Sequence, residues 1–193
     1  MSEKLFSLYR ARLAGETGAV RKDWGGKISI ALIYPNHYRV GMSNLGFQVV
    51  YRLFNERDDV VAERAFLPED QELSLHLRAG KALFSLESQS PLTGFDILAF
   101  SLSFENDYPN ILTILDLAGI PLLGRERDEA SPLIMGGGIT SFLNPEPLAS
   151  IFDLFLIGEA EANLNEFVDL FKETSSSRRD RGEALKALAR GCR

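Results

Sequence analysis

The chain has 193 residues, 45% of them hydrophobic and 25% charged, which is an ordinary composition for one globular domain with room for a core. Its 21 basic and 27 acidic residues give a net charge of −6, which argues against a nucleic-acid partner, and no apolar stretch is long enough to span a membrane. The single cysteine, Cys192, excludes an internal disulfide and favours a cytoplasmic location, and with only His37 and His76 beside it the chain cannot by itself hold an iron–sulfur cluster or a Cys/His metal site.

Strand-like and helix-like segments alternate along the chain. Continuous apolar runs are typical of strands buried on both faces, and apolar residues three and four positions apart indicate the helices that cover them. In chain order the predicted elements are a helix over 3–13, a polar arm over 15–26, a strand over 28–34, a helix over 44–57, a strand over 60–66, a helix over 68–80, a short edge strand over 82–86, a strand over 95–103, a helix from 106 or 107 to 118, a strand over 120–123, a strand over 133–135, a helix from 144, a strand over 153–157 and a helix containing 164–171. The alternation predicts an α/β fold with a doubly wound, mostly parallel sheet.

The two ends of the chain differ from its middle in composition. In the N-terminal arm, Trp24 is expected to pack against the domain as an anchor. After residue 173, three serines and a charge cluster over 174–181 predict a linker, and Asp180 and Glu183 have the spacing of a capping box for a last helix over 184–190. We therefore divide the chain into an N-terminal helix and arm (1–26), an α/β domain (27–173), and a linker with a truncated helix (174–193).

Four predicted strands each end in a loop rich in small, polar and acidic residues. Because the carboxyl ends of parallel strands meet at one edge, where open α/β sheets bind ligands, four such loops predict a single binding crevice. Its candidate residues are Asn36, His37, Tyr38, Gly41, Ser43, Asn44, Ser101, Ser103, Gly136, Gly137, Gly138 and Glu159.

The glycines of these loops do not match a nucleotide-binding motif. Gly41 and Gly46 have the spacing of a phosphate-binding loop, but Phe47 and Gln48 follow where Lys and Ser or Thr would be needed. A Gly-x-Gly-x-x-Gly fingerprint is also missing. The triple glycine over 136–138 costs backbone entropy, so we favour close approach of a flat ligand over a bare connector.

Each polar candidate also has an alternative structural role. Ser101 and Ser103 could bind a ligand or cap the next helix, and the acids near Glu159 are expected at helix starts from the helix dipole. His37 could ligate a metal or cap a helix, while His76 is expected to be solvated on its helix. No paired acid and base and no Gly-x-Ser-x-Gly elbow supports hydrolytic chemistry, so we expect the chain alone to be non-catalytic.

Taken in order, several stretches resemble the N-terminal cobalamin-binding-like domain of radical SAM proteins, in the subgroup where this domain precedes the radical SAM barrel. The resemblance covers roughly residues 15–172. The stretches that carry it are Gly18–Trp24, Tyr34–Gly46, Leu83–Ser88, Gly136–Gly138, Asn144–Leu148 and Ile157–Glu161.

The resemblance implies a flavodoxin-like fold and a downstream barrel that holds a 4Fe-4S cluster and S-adenosylmethionine. It also implies a crevice for cobalamin, with the loop 36–44 under the corrin and Ser101, Ser103 and the triple glycine lining the slot for the nucleotide tail. Cobalamin domains with a histidine ligand carry Asp-x-His-x-x-Gly. Here Pro35 replaces the aspartate and Gly41 lies four residues after His37, so His37 as a cobalt ligand is the lesser alternative.

Three hypotheses follow. The first is an accessory domain of a radical SAM enzyme with a cobalamin-type crevice. The second is a cofactor-free interaction domain that docks on the radical SAM barrel of its own chain. The third, an independent small-molecule enzyme, has less support because the chain lacks a phosphate loop.

Overall fold

The computed structural model describes residues 2–176 and 180–191. Cys192 lies outside the described residues. Short 3₁₀ turns interrupt several connections between the regular elements. The helices and strands are α1 (Ser2–Ala14), β1 (Ile28–Tyr34), α2 (Tyr38–Ser43), α3 (Leu45–Glu56), β2 (Val60–Phe66), α4 (Asp70–Ala79), β3 (Ile97–Ser101), α5 (Tyr108–Ala118), β4 (Leu133–Gly137), α6 (Ile139–Leu143), β5 (Leu154–Leu156), α7 (Ala160–Ser176) and α8 (Arg181–Gly191).

The strands form one five-stranded, entirely parallel sheet in the order β2-β1-β3-β4-β5. This order is the flavodoxin-like one, in which the chain moves outward from β1 to β2 and then returns to the other side of β1. The predicted doubly wound α/β fold is confirmed. The strand order places the point of reversal between β1 and β3.

Two apolar cores lie on opposite faces of the sheet. One face packs against α1, α3, α7 and α8, through side chains such as Leu5, Phe47, Phe167 and Leu188. The other packs against α5, whose Ile111, Leu115 and Ala118 point inward as the helical spacing predicts. All side chains of β2 are buried although it is an edge strand, because other segments cover it.

The N-terminal arm is one of the segments that cover β2. Trp24 packs on Phe95 with ring centroids 4.6 Å apart, and its Nε1 donates to Glu63 Oε1 at 2.9 Å. Lys22 Nζ donates to three carbonyl oxygens at the end of α3 and the start of β2 (those of Asn55, Arg57 and Val60). The predicted anchoring role of Trp24 is confirmed.

A buried ion cluster also joins the arm to β2. Arg64 pairs through Nε with Glu87 Oε1 at 2.6 Å and through Nη2 with Glu16 Oε2 at 2.7 Å. Its guanidinium lies 4.6 Å from the Tyr51 ring centroid. Burial raises the pKa of the Glu87 carboxyl, and the charge of Arg64 opposes that shift.

Several local predictions were wrong. The stretch 82–86 makes only an isolated antiparallel bridge, between Phe84 and Pro91, and 120–123 is not a strand. His76 is not solvated: it is buried between α4 and α1, where Tyr9 contacts it. The loops after β1 and β4 contain the short helices α2 and α6, and only a 3₁₀ turn (Glu146–Leu148) forms after Asn144.

The C-terminal helix packs back onto the domain. Arg181 Nη2 donates to Asp153 Oδ2 at 2.7 Å, and Asp153 also pairs with the buried Arg127. Leu188 is fully buried against the core. Of the segment predicted as a linker, residues 174–176 belong to α7 and 177–179 lie outside the described residues. The Asp180 carboxylate accepts from the Glu183 amide at 2.9 Å, which is the predicted capping contact.

Candidate functional site

A cleft of about 470 Å³ opens at the carboxyl edge of the sheet, between α3 and α7. Its walls come from residues of β1, β3, β4 and β5, from one side of α3 and from the first turns of α7. The apolar lining includes Leu32, Val50, Ala99, Met135 and Leu156. This is the position where doubly wound sheets bind their ligands, next to the point where the strand order reverses.

The floor of the cleft is made of very small residues. Ser101 of β3 and Gly137 of β4 are register partners on neighbouring strands, and both line the cleft. Within the described part of the chain, the Ser101 hydroxyl has no hydrogen-bond partner, so it is available to a bound molecule. A side chain at Gly137 would first meet the Leu156 carbonyl oxygen at 3.6 Å from its Cβ, an ordinary contact. The open floor is therefore not enforced by backbone packing at Gly137.

Packing around the other two glycines of the triplet explains why neither position carries a side chain. Gly136 faces the opposite core, where a Cβ would come within 2.9 Å of the Phe155 ring. Gly138 has φ +116°, and a Cβ there would lie 2.5 Å from the Leu102 carbonyl oxygen. The Phe155 ring thus explains Gly136, and the Leu102 backbone together with the positive φ explains Gly138. Gly137 and Gly138 line the cleft.

The loop after β1 contributes only its last candidate, Asn44, to the cleft. Asn36 donates to Asp107 Oδ1 at 2.7 Å and accepts from the His37 amide, so its side chain is engaged in joining two loops. His37 precedes α2, and its Nδ1 lies 3.2 Å from the Leu67 carbonyl oxygen. Since a carbonyl oxygen only accepts, Nδ1 carries the proton of a neutral His37 and Nε2 keeps its lone pair.

Tyr38, Gly41 and Ser43 do not line the cleft either, and each has a structural role elsewhere. The Tyr38 hydroxyl donates to Glu16 Oε1 at 2.7 Å, and burial together with this hydrogen bond raises the pKa of Tyr38 to about 12. Gly41 is buried, and a Cβ there would lie 2.6 Å from the Phe66 ring, so the position has no room for a side chain. Ser43 Oγ donates to the Val40 carbonyl within α2.

Asn44 and Ser103 are joined at the mouth of the cleft. The Asn44 Oδ1 accepts from the Phe47 amide at 2.9 Å and caps α3, while its Nδ2 donates to Ser103 Oγ at 3.2 Å. Both residues line the cleft. This contact fixes the start of α3 against the end of β3.

The charged groups that line the cleft are acidic. Glu159 and Glu161 line it at the start of α7 and are exposed, and no Lys, Arg or His is among its lining residues in the described part of the chain. Gly158, with φ +112°, makes the turn into α7. The cleft therefore suits a ligand whose buried part is apolar and uncharged.

The sequence did not indicate the apolar walls. Leu45, Val49, Val50 and Phe54 of α3 line the cleft. The helical spacing of Leu45, Val49 and Phe54 predicts core positions. Leu45 is largely exposed instead of pointing inward. An apolar helix stripe looks the same whether it faces a filled core or a groove, so no local signal separates the two cases.

The described residues contain neither a metal-binding cluster nor a membrane-spanning helix. No group of three His, Cys, Asp or Glu side chains in ranges 2–176 and 180–191 is placed to hold a metal ion. None of the helices described is both long and apolar enough to cross a bilayer.

Comparison with known families places the chain. Residues 46–192 match the family model described as "Radical SAM proteins, N-terminal", which covers most of the chain. The chain belongs to this family. The match begins at Gly46, so all of α3 but its first residue lies within it, as do the triple glycine, α7 and α8. The arm and the loop 36–44 lie outside.

A curated relative extends this result. An uncharacterized protein of Methanocaldococcus jannaschii is 26% identical over 136 residues, which are 70% of this chain but 24% of that protein. The chain thus spans about a quarter of the relative's length. The similarity concerns one part of a much longer polypeptide.

Proposed function

We propose that the chain is the N-terminal accessory domain of a radical SAM enzyme and that its carboxyl-edge cleft receives the nucleotide tail of a cobalamin-type cofactor. The observation that carries the proposal is the cleft itself, which is floored by Ser101 and Gly137 and walled by apolar side chains. Its size suits a flat, largely apolar group, and its place on the sheet is the one used by ligands of this fold.

The described residues fit part of such a cofactor. The cleft, of about 470 Å³, is too small for a whole corrin ring system and suits the uncharged aromatic base at the end of the nucleotide tail. The free hydroxyl of Ser101 and the backbone of Gly137 and Gly138 are the polar groups that would orient it. His37 is at the same edge of the sheet but does not line the cleft, so ligation of cobalt by His37 is a separate question from binding of the tail.

Each part of the site has a defined task in this proposal. The apolar walls would exclude water from the bound group, and the Asn44–Ser103 contact would keep α3 at the distance that leaves the cleft open. The cofactor would supply organocobalt chemistry to a radical SAM domain, whose 4Fe-4S cluster and S-adenosylmethionine belong to another part of the full-length protein. The 193 residues would hold and orient the cofactor without catalysing a reaction alone.

The test is a titration of the purified chain with hydroxocobalamin and with methylcobalamin, followed by absorbance and by calorimetry. We expect saturable binding with one site per chain. Gly137→Val should weaken it strongly, because the added side chain would occupy the floor of the cleft while its Cβ meets the Leu156 carbonyl oxygen at an ordinary 3.6 Å.

The matched control is Gly94→Val, at a position outside the cleft where nothing lies within 4 Å of an added Cβ. Equal binding by the Gly137→Val and Gly94→Val variants would place the ligand elsewhere. A change of the bound spectrum in His37→Gln would assign His37 to the cobalt. If neither cobalamin bound, the cofactor-free docking domain would be the better hypothesis.

A further inference from the structure

The short helix α6 has its polar and apolar sides reversed. Thr140 and Ser141 are buried, whereas Ile139, Phe142 and Leu143 are 56%, 65% and 66% exposed. Phe104, in the neighbouring loop, is 59% exposed. We call Phe104, Ile139, Phe142 and Leu143 the α6 surface.

The contacts of α6 explain why the helix is held in this orientation. The Thr140 amide and hydroxyl both donate to the Leu102 carbonyl oxygen, at 3.4 and 3.2 Å. The Leu102 amide in turn donates to the Gly137 carbonyl at 2.7 Å. These bonds fix α6 to the loop that carries Phe104, so both parts of the α6 surface belong to one rigid unit.

This orientation is unfavourable for the chain by itself. The Ser141 hydroxyl is buried without a hydrogen-bond partner among the described residues, and burial of such a group costs about 1–3 kcal/mol. Large apolar side chains stay in water at the same time. Exposed apolar groups next to one another, with aromatic residues among them, mark interaction surfaces of proteins.

The charges nearby limit what can cover the α6 surface. Glu105 follows Phe104 directly, and Glu159 and Glu161 line the cleft beside Ile139. In a contact between two copies these acids would face the same acids and repel one another, and an anionic membrane surface would repel them as well. The complementary surface is apolar in its centre and basic at its rim.

The path of the chain favours a partner within the same polypeptide. Arg181 binds the Ser131 and Pro132 carbonyls ahead of β4, so α8 begins at the amino edge of the sheet. Gly191 reaches Leu170, in the middle of α7, so α8 runs back toward the carboxyl edge. The curated relative is about four times as long as the matched region, which leaves ample chain for a further domain.

We infer that the α6 surface is the contact surface for the radical SAM domain of the same full-length protein, which presents an apolar patch rimmed by basic residues. The inference rests on the part of the proposed function that makes this chain an accessory domain, and it does not depend on which ligand the cleft holds. Ile139 belongs both to the α6 surface and to the cleft, so the docked domain closes one side of the cleft.

The test is hydrogen exchange in the full-length protein, compared with the 193-residue chain. Amides of 102–107 and 139–143 should exchange more slowly in the full-length protein. In Phe142→Glu/Leu143→Glu this protection should be lost, because two carboxylates cannot enter an apolar contact.

The control is Leu8→Glu/Leu77→Glu, two exposed apolar residues of α1 and α4, of which Leu77 is as exposed as Phe142. It should keep the protection. If the exchange slowed around Leu8 and Leu77 instead, the accessory domain would stand and the α6 surface would be the wrong contact. If the amides exchanged at the same rates in the full-length protein and in the 193-residue chain, docking would be contradicted altogether, whatever the result of the hydroxocobalamin titration.

Two further outcomes would identify another occupant and overturn the inference. In the first, the 193-residue chain dimerises in sedimentation velocity and Phe142→Glu/Leu143→Glu abolishes the dimer. In the second, the chain floats with vesicles of phosphatidylcholine and phosphatidylserine, and the same variant does not.

Discussion

His76 is a buried histidine with a defined hydrogen-bond environment. Its Nδ1 lies 3.0 Å from the Lys81 carbonyl oxygen and its Nε2 lies 3.4 Å from the Tyr9 hydroxyl. Glu72 and Arg12 form an ion pair nearby between α4 and α1. Burial lowers the pKa of His76, with Glu72 acting in the opposite sense.

We therefore expect His76 to make stability depend on pH. The ordinary pKa of 6.5 applies to the unfolded chain. Below that pH His76 is protonated in the unfolded state, whereas in the folded state it stays neutral until the pH reaches its lower folded pKa. Stability should fall as the pH drops from 6.5 toward the lower folded value, with a slope of at most about 1.4 kcal/mol per pH unit. The measurement is urea unfolding at pH 7.5 and 5.5.

His76→Gln should reduce the difference between the two pH values, because it removes the titrating group. Other groups titrate in this range too, so the comparison is between the protein and the variant at each pH. An unchanged pH dependence in His76→Gln would show that His76 does not limit stability in acid.

The burial of His76 could not be predicted from its own helix. The apolar residues of α4 alternate with polar ones, and the buried stripe contains Glu72 and His76, which are satisfied by Arg12 and Tyr9. Those partners are about sixty residues away in sequence. Polar residues on a helix indicate solvent only when no distant segment supplies a partner.

At the scale of elements, β2 shows how an edge strand can be closed off. Its two adjacent charged residues, Glu63 and Arg64, point to opposite faces and are both buried. Ser85, Ser88 and Trp24 donate to Glu63, and Glu16 and Glu87 pair with Arg64. Covering an edge in this way hides strand groups that would otherwise pair with another chain.

Arg64→Met should therefore be strongly destabilising. The variant leaves Glu87 buried without its charge partner and removes the ion pair between β2 and Glu16, which belongs to the arm. Breaking a buried pair from one side typically costs about 3–5 kcal/mol. The free energy of unfolding from urea denaturation is the measurement. In Arg52→Met the exposed pair with Glu56 is removed instead, at a cost of about 1 kcal/mol or less. Similar losses in the two variants would contradict a stabilising role for the cluster.

The elements that the sequence predicts well are those whose own pattern decides them. The apolar runs of β1 and β3 and the helical spacing of α5 and α7 are local signals of this kind. By contrast α2 and α6 have five or six residues and exist because other loops hold them. The stretch 82–86 has a strand-like composition, but its amides donate to separate partners (Leu83 to Leu117, Ser85 to Ser90 and Leu86 to Arg64), and a turn with Gln89 at φ +60° follows. It therefore forms no continuous ladder with β2.

At the scale of the whole molecule, α8 is part of the packed structure. A chain that ends at Glu173, the expected domain boundary, would lose Leu188 from the core and Arg181 from Asp153. We expect its free energy of unfolding to be lower than that of the 193-residue chain by roughly the 2–5 kcal/mol that loss of a large buried side chain costs. Its urea midpoint should be lower in consequence. Equal midpoints would support the boundary at 173.

The candidate site is also a property of the whole molecule. Parallel strands bring Asn44, Ser101, Ser103, Gly137 and Glu159 to one edge, and that could be predicted because strand ends follow from the alternation of elements. Which residues at this edge line the cleft could not be predicted from the sequence. His37 and Asn36 lie at the same edge but bond to Leu67 and Asp107 of neighbouring loops, and only the packed loops decide that.

The two faces of the sheet also differ in when they can be completed during synthesis. The core under α5 uses residues between Trp24 and Phe155, so it can close while the ribosome is still making the C-terminal helices. The core on the other face needs both Leu5 and Leu188. As the chain emerges from its N-terminus, Tyr9 can already pack on Phe84, but the places of Phe167 and Leu188 stay empty until α7 and α8 are made. For that interval part of this side of the nascent sheet remains open to chaperones.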